Sequence, residues 1–362
     1  MTVALEALDQ RPFGLDREQK RALLSDGLSR LGAFHADHCP PYRRIVQTVF
    51  AGRSGADTLE DLPWLPVRLF KLMELISVDR STIVKTLVSS GTSNQPVSRI
   101  FLDAATAKVQ AKSLARIAAE FLGRKRLPMV VIDDQSFQAD RTRFNARAAG
   151  ILGFANLGRS HLYLLDDAFR PDWGRLESYL REHDDTPILL FGFTFMVWQY
   201  FLERARADGV TLRFPTDSVL VHGGGWKRLA ERSVDNTTFK GALSETFGID
   251  RVHNYYGMVE QVGSIFFECE DGALHAPVFA DVLIRDPYSL AVQPNGEAGL
   301  IQVLSLLPQS YPGHSLLTED LGTVLGEDDC ACGRLGKRFA VHGRLKNVEL
   351  RGCSDTRSVS AA

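Results

Sequence analysis

The 362-residue chain predicts an α/β fold: a large N-terminal part with mostly parallel sheets covered by helices, plus a smaller β unit. Three observations predict it. Short, unbroken apolar runs recur at 128–132 (PMVVI), 188–191 (ILLF) and 218–221 (SVLV). Helical patterns follow, over about 195–207 and about 237–247. After Tyr256 the pattern turns to strands only, at 278–285 (VFADVLIR) and 299–306 (GLIQVLSL). Strands without polar alternation are covered on both faces, as in a parallel sheet between helices.

Taken in order, residues 15–34 carry Leu15, Leu23, Leu24, Leu28 and Leu31 at helical spacing. The stretch 62–72 (LPWLPVRLFKL) holds two prolines and reads as a packed, extended connector. In TLVSSGTSNQPVSRIFLD (86–103) a β-prone run stops at Ser89-Ser90-Gly91-Thr92-Ser93-Asn94, and apolar character returns at Val97, Ile100, Phe101 and Leu102. Such residues make either a surface turn or a loop that wraps phosphates with N–H groups and hydroxyls. The loop lacks the G-x-x-x-x-G-K-[ST] pattern of a Walker P-loop.

Asp103 is placed to cap a helix that runs to about Leu122, with Gln110, Leu114, Ile117, Ala118 and Phe121 on one stripe and Gly123 ending it. The third apolar strand runs into His222-Gly223-Gly224-Gly225. The acidic segment 317–326 (LTEDLGTVLG) is expected to turn the chain back, and the tail SDTRSVSAA is expected to be mobile.

Lys+Arg 42 against Asp+Glu 44 leaves a net charge of -2, so no global field draws nucleic acid or an anionic membrane. No apolar run is long enough to span a bilayer, and the N-terminus lacks the basic start and apolar core of a signal peptide. The expected location is the cytoplasm. Five cysteines, an odd number, do not form a disulfide framework. Cys269, His275, Cys330 and Cys332 are spaced C-x5-H and C-x-C, a soft four-ligand set suited to a closed, structural tetrahedral zinc site. The other reading is four unconnected residues, with Cys269 simply buried. Cys353 lies between Arg351 and Arg357 in a polar segment, where positive neighbours favour the thiolate. An idle tail cysteine is the plainer alternative, and Cys39 is expected to be structural.

Five stretches, SSGTSNQPV, VHGGGWK (221–227), NYYGMVEQ (254–261), LLTEDLG (316–322) and HGRLKNVELRGC (342–353), follow one another in the order seen in adenylate-forming enzymes, which the chain resembles. Within that superfamily of acyl-CoA ligases, LPWLPVRLFK, SSGTSNQPVSRIFLD and ELRGCSDT resemble the acyl-protein synthetases of the LuxE type, neighbours of the phenylacetate–CoA ligases. The resemblance runs over about 62–353.

It implies ATP-dependent activation of a fatty or other apolar carboxylic acid as its acyl-adenylate. The protein must then hold a polyanion and spread the charge that builds at the α-phosphorus. By resemblance, Ser89, Ser90, Gly91, Thr92 and Ser93 cradle the β- and γ-phosphates. Gly223, Gly224 and Gly225 let the adenine lie close to the backbone, Tyr256, followed by Gly257, stacks on it, and Asp320 accepts from the ribose hydroxyls. Glu260 ligates Mg²⁺, a role suited to a hard carboxylate. Arg344 and Lys346 face ribose, phosphate or the reacting carboxylate. Cys353 takes the acyl group and passes it to a partner protein.

The resemblance also assigns 1–341 to an adenylate-forming domain with a zinc-bearing β part at about 265–341. Residues 342–362 are assigned to a hinge-like basic loop and tail. Larger superfamily members carry a further C-terminal domain with a catalytic lysine, expected here to be truncated or absent, as in LuxE-type synthetases. Two departures stand out: Asn94 and Val97 occupy positions where the family carries Gly and often Lys, which leaves Arg99 as a candidate for the missing charge. Coenzyme A, a carrier-protein thiol or an amine is the alternative acceptor, and a catalytically idle adenylate-binding protein is the reading from another class. Phe193, Phe195, Met196 and Trp198 in ILLFGFTFMVWQYF (188–201) suit either an apolar acid tail or ordinary helix packing.

Overall fold

A computed structural model describes residues 2–89, 96–135, 146–226 and 231–345. The chain opens with helices Thr2–Asp9, Arg17–His38 and Pro40–Val49, then strand β1 (Leu65–Pro66) and a helical turn Leu69–Leu72. The proline-bearing connector is therefore extended only in its first half. A hairpin follows, β2 (Ile83–Val88) and β3 (Arg99–Asp103), paired antiparallel. The Asp103 side chain accepts from the Thr106 N–H at 2.8 Å and caps helix Ala104–Leu122, which Gly123 ends at φ +78°.

Next come β4 (Leu127–Val131), helix Ala146–Ala155, β5 (Gly158–Tyr163), helix Trp173–Glu182 and β6 (Leu189–Phe193). A composite helix follows, α-helical at Thr194–Met196 and Glu203–Ala207 with a π-helical stretch Val197–Leu202 between them. Then β7 (Val219–Gly223), helix Asn236–Phe247 and β8 (Arg251–Tyr256) complete the helix-covered part. Strands β4 to β8 are all parallel, in the order β5-β4-β6-β7-β8. Every residue of β6 and β7 is buried, which is why these strands read as unbroken apolar runs. The chain leaves β4 for β5 on one side and returns to β6 on the other. The crevice beyond the carboxyl ends of such strands is where open α/β sheets bind ligands.

The remaining strands are β9 (Phe266–Glu268), β10 (Leu274–His275), β11 (Ala280–Arg285), β12 (Ala298–Ser305), β13 (Ser315–Glu327) and β14 (Lys337–Arg344). They extend the same sheet from β8 in the order β9-β10-β14-β13-β12-β11, and β1 lies parallel to β13. The acidic segment 317–326 is thus strand rather than turn. Ladders to β12 on one side and β14 on the other override its poor local strand propensity. Its pairing with β14 slips at Gly322, where a Cβ would stand 2.6 Å from the Ala340 carbonyl oxygen. Helix Arg17–His38 packs on this half through buried Lys20, which lies 3.5 Å from Asp281, itself paired with Lys337 at 3.1 Å. No helix among the described residues is long and apolar enough to cross a membrane.

Candidate active site and metal centre

The crest of the parallel strands is set by one register: Phe193 faces Gly223, and Gly223 faces Tyr255. A Cβ on Gly223 would lie 2.6 Å from Tyr255 Cε1, so the Tyr255 ring requires glycine there. Gly224 and Gly225 have φ of +78° and +66°, a backbone that side chains disfavour. Together they turn the chain at the end of β7 with little bulk above it. The Thr194 hydroxyl fixes the turn, donating to the Gly223 carbonyl at 3.1 Å with the His222 Nδ1 3.0 Å away.

Tyr256 ends β8, and its hydroxyl donates to Asp320 Oδ2 on β13 at 2.7 Å. Burial, reinforced by the Asp320 charge, pushes the Tyr256 hydroxyl well above its ordinary value, so it stays a donor. Asp320 is in register with Arg344 on β14, and the guanidinium Nε is 3.8 Å from Asp320 Oδ1. Glu319, next along β13, lies 4.0 Å from Arg344 and 3.5 Å from Arg68. A flat phenol, a carboxylate and a cation, brought from three strands, therefore meet in one place.

Glu260 lies in a short 3₁₀ turn, Val259–Gln261, and is buried. The stem of the β2–β3 loop is closed twice: the Ser89 N–H donates to the Ser98 carbonyl at 3.0 Å, and the Ser98 N–H donates to Ser89 Oγ at 2.9 Å. Burial raises the Glu260 carboxyl above its usual range, with Ser98, Lys71 and Arg344 pulling the other way. The turn that carries Glu260 packs against β3, the strand that follows the Ser/Gly loop. Gly257 sits just before that turn, where a Cβ would stand 2.6 Å from Ile265 Cδ1. Arg99 pairs instead with Glu74, at 3.8 Å on an exposed face. Ser90, Gly91, Thr92, Ser93, Lys346 and Cys353 lie outside the described residues. Sequence alone does not mark Ser98, Thr194 or Lys71; the local signal for Lys71 is its place five residues after Pro66 in the connector.

Cys269, His275, Cys330 and Cys332 come together at the outer end of β9, β10 and the β13–β14 turn, their ligand atoms all within 4.8 Å of one another. Cys269 Sγ lies 3.8 Å from Cys330 Sγ, and Cys332 Sγ lies 3.4 Å from His275 Nε2. Four ligands about 2.3 Å from a tetrahedral zinc stand about 3.8 Å apart, so the spacing fits one such ion. Burial and the adjoining thiol at Cys332 raise Cys269; burial likewise pushes Cys330 up to about 12. Burial opposes ionisation of Cys332 too, yet Arg334 and the neighbouring thiols hold it lower. Burial and the cations Arg334 and Lys20 bring His275 down to about 4, which keeps it in the neutral, ligating form. Thiols this close are deprotonated together more readily when they coordinate a metal cation, which releases their protons.

The aromatic stripe after β6 divides. Trp198 stacks on Phe239 at 5.9 Å and donates its indole N–H to Glu203 at 3.0 Å, and Met196 is buried, so both pack the helical layer. Phe193 remains at the crest.

The family model described as "Acyl-protein synthetase, LuxE" matches residues 3–361. A long-chain-fatty-acid–luciferin-component ligase of Vibrio harveyi is 23% identical, over 93% of this chain and 88% of that protein. A phenylacetate-coenzyme A ligase of Thermus thermophilus is 25% identical, over 92% of this chain and 72% of its own. Among solved structures, an open conformation of 2-hydroxyisobutyryl-CoA ligase with 2-HIB-AMP and CoA shares the fold, at a TM-score of 0.70 and 18% identity over 93% of this chain and 77% of that one.

Proposed function

The chain belongs to the LuxE family of acyl-protein synthetases, ATP-dependent acid–thiol ligases, and on that premise we propose an adenylation site at the crest of its sheet with delivery of the acyl group through Cys353 to a partner protein. The observation that carries this reading is the meeting of Tyr256, Asp320 and Arg344, with Tyr256 next in the chain to Tyr255, which is paired with Gly223. An oxygen of the acid attacks the α-phosphorus of ATP, the bond to the bridging oxygen breaks, and pyrophosphate leaves. A thiolate then attacks the acyl carbon and AMP departs.

Each residue's part follows from its chemistry. The Tyr256 ring offers a flat face to the adenine, and Gly223 to Gly225 leave room for it. Asp320, oriented by the Tyr256 hydroxyl, accepts from the ribose hydroxyls. Arg344 and Lys346 offset the negative charge that builds as two anions approach. The serines and Thr92 of the 89–93 loop, with Gly91, donate to the β- and γ-phosphates. Glu260, whose turn packs against the strand that follows that loop, would hold Mg²⁺, which neutralises phosphate charge when bound. The zinc suits the Cys269/His275/Cys330/Cys332 cluster as a structural ion, since four ligands leave no open position.

Carboxylate-dependent exchange of labelled pyrophosphate into ATP tests the adenylation step. No exchange across a broad acid panel with magnesium rejects it. Intact mass after incubation with ATP and an accepted acid tests the transfer: an acyl adduct is expected on the wild type and none on Cys353→Ser. An adduct unchanged by that substitution removes Cys353 from the path. The Thermus relative's name supports coenzyme A as the second acceptor. Thioester formed on added coenzyme A by Cys353→Ser selects that reading.

A further inference from the structure

We propose that Arg68 and Lys71, on the helical turn of the proline-bearing connector, are cations that bind the β- and γ-phosphates of ATP. The inference rests on the adenylation reading and adds two residues to it. Strand β1 runs parallel to β13 at Leu65 and Pro66, and the Val67 N–H donates to the Leu317 carbonyl at 2.9 Å. Strand β12 lies along one edge of β13, so β1 and β14 share the other, end to end. Strand β14 arrives there at Arg344, and the Leu345 N–H donates to the Glu319 carbonyl at 2.9 Å. Arg68 and Arg344 therefore meet across the Glu319 carboxylate, 3.5 Å from one oxygen and 4.0 Å from the other. Their side chains are 73% and 69% exposed, so most of their N–H donors face solvent beside Asp320. Ion pairs this loose add little to stability, but they fix where two positive charges stand.

From Arg68 the chain turns toward Glu260. Arg68 has helical backbone angles, φ −63° and ψ −17°, and precedes the turn Leu69–Leu72, so Arg68 and Lys71 stand three residues apart on one face. Phe70 points the other way and is buried, edge to face with the Tyr311 ring at 6.0 Å. Gly313 links that ring to Glu260, since a Cβ there would overlap the Tyr311 ring and stand 2.8 Å from the Glu260 carbonyl oxygen. The helical turn packs against β3, as the Glu260 turn does. Lys71 is exposed, and its charge is felt at the Glu260 carboxyl. One short turn thus reaches from the neighbourhood of Asp320, proposed for the ribose, to that of Glu260, proposed for magnesium. The phosphates of a nucleotide held at both points run between them. The Ser/Gly loop, 89–98, contains no lysine or arginine, and Arg99 is committed to Glu74. Arg68 and Lys71 supply positive charge along that path, with donors that suit phosphate oxygens.

The test is pyrophosphate exchange on the full chain with magnesium, using whichever acid of a straight-chain and aromatic panel the wild type exchanges fastest. It reads the KM of ATP and of pyrophosphate, beside the Kd of AMP from calorimetry, for the wild type, Arg68→Ala and Lys71→Ala. Each variant is expected to raise both KM values about tenfold, the ordinary worth of a hydrogen bond to a charged group, while the Kd of AMP moves less than about twofold. Arg68→Lys should recover part of the loss. Arg68→Gln and Lys71→Gln keep the side-chain stems and cover the case in which an alanine variant does not fold. KM values for ATP and pyrophosphate that stay at the wild-type level overturn the proposal. So does an AMP affinity that falls in step with them, because the two side chains then act on the site as a whole and not on the β- and γ-phosphates. Failure of the underlying reading looks different: the wild type then exchanges with no acid of the panel.

Discussion

The Tyr256 hydroxyl donates to Asp320 across 2.7 Å, joining the last parallel strand, β8, to β13 in the antiparallel half. In the sheet those strands are separated by β9, β10 and β14. The short middle strands let the two halves approach, so one hydrogen bond ties the side chain proposed for the adenine to the one proposed for the ribose. Tyr256→Phe should raise the KM for ATP several-fold and lower stability by about 1 kcal/mol, the ordinary worth of such a bond. Asp320→Ala should cost more, about a hundredfold in exchange rate, because it removes the proposed ribose acceptor as well. Exchange kinetics and urea unfolding read the two effects separately, and an unchanged KM in Tyr256→Phe rejects the link.

Glu260 is a buried carboxylate whose proton affinity is raised by burial. A folded-state value above the unfolded one favours the protonated form, so without a bound cation this side chain weakens the fold as pH rises through the carboxylate range. Glu260→Gln should therefore leave stability unchanged or improved while exchange falls by about a hundredfold or more. Loss of both together would show a structural carboxylate instead.

The Cys269/His275/Cys330/Cys332 cluster makes a separate prediction. Purified protein should carry about one equivalent of zinc, and Cys330→Ser or a strong chelator should lower the melting temperature by several degrees, because metal binding is coupled to folding. Elemental analysis with thermal melts checks it. Less than about a tenth of an equivalent in folded protein counts against the site.

Stability should also fall in mild acid. Burial brings His222 and His314 down to about 3, and burial with the neighbouring His314 holds His35 well below its usual value. His35 and His314 stack at 5.1 Å, with Ser77 and Tyr42 as their hydrogen-bonding neighbours. The unfolded chain binds protons at about 6.5 and the folded one does not, so this stability is whole above that value. It drains as pH falls toward 3, by up to about 1.4 kcal/mol per histidine per pH unit. Urea unfolding between neutral and mildly acid pH should show an uptake of more than one proton, reduced by about one in a folded His314→Gln. A flat profile would contradict the buried neutral pair.

Much of this was legible locally. The Asp103 cap, the Gly123 stop and the apolar runs of β6 and β7 are signals within a few residues, and the structure follows them. Strand β5 was hidden because Arg159, Ser160 and His161 are exposed, which breaks the apolar run. The strand character of the acidic segment 317–326 was hidden for another reason. Glu319 and Asp320 disfavour strands alone, and only β12 and β14, distant in sequence, hold them extended. The residue types proposed for the nucleotide could be named from motifs. That Tyr256 and Asp320 share a hydrogen bond, and that Phe193 sits between Gly150 and Gly224, depend on contacts no spacing encodes.

Strand β9 is three residues long and β10 two, so the two halves of the sheet are joined by a narrow isthmus. A strip that thin resists sliding but offers little against torsion. The four sulfur and nitrogen ligands lie at its outer end, where an ion would act as a torsional brace. Aperture at the proposed nucleotide cleft would then be governed from the far rim of the isthmus, and a lesion among those ligands would reach the reaction by letting the halves rock, with every residue of that cleft still in place.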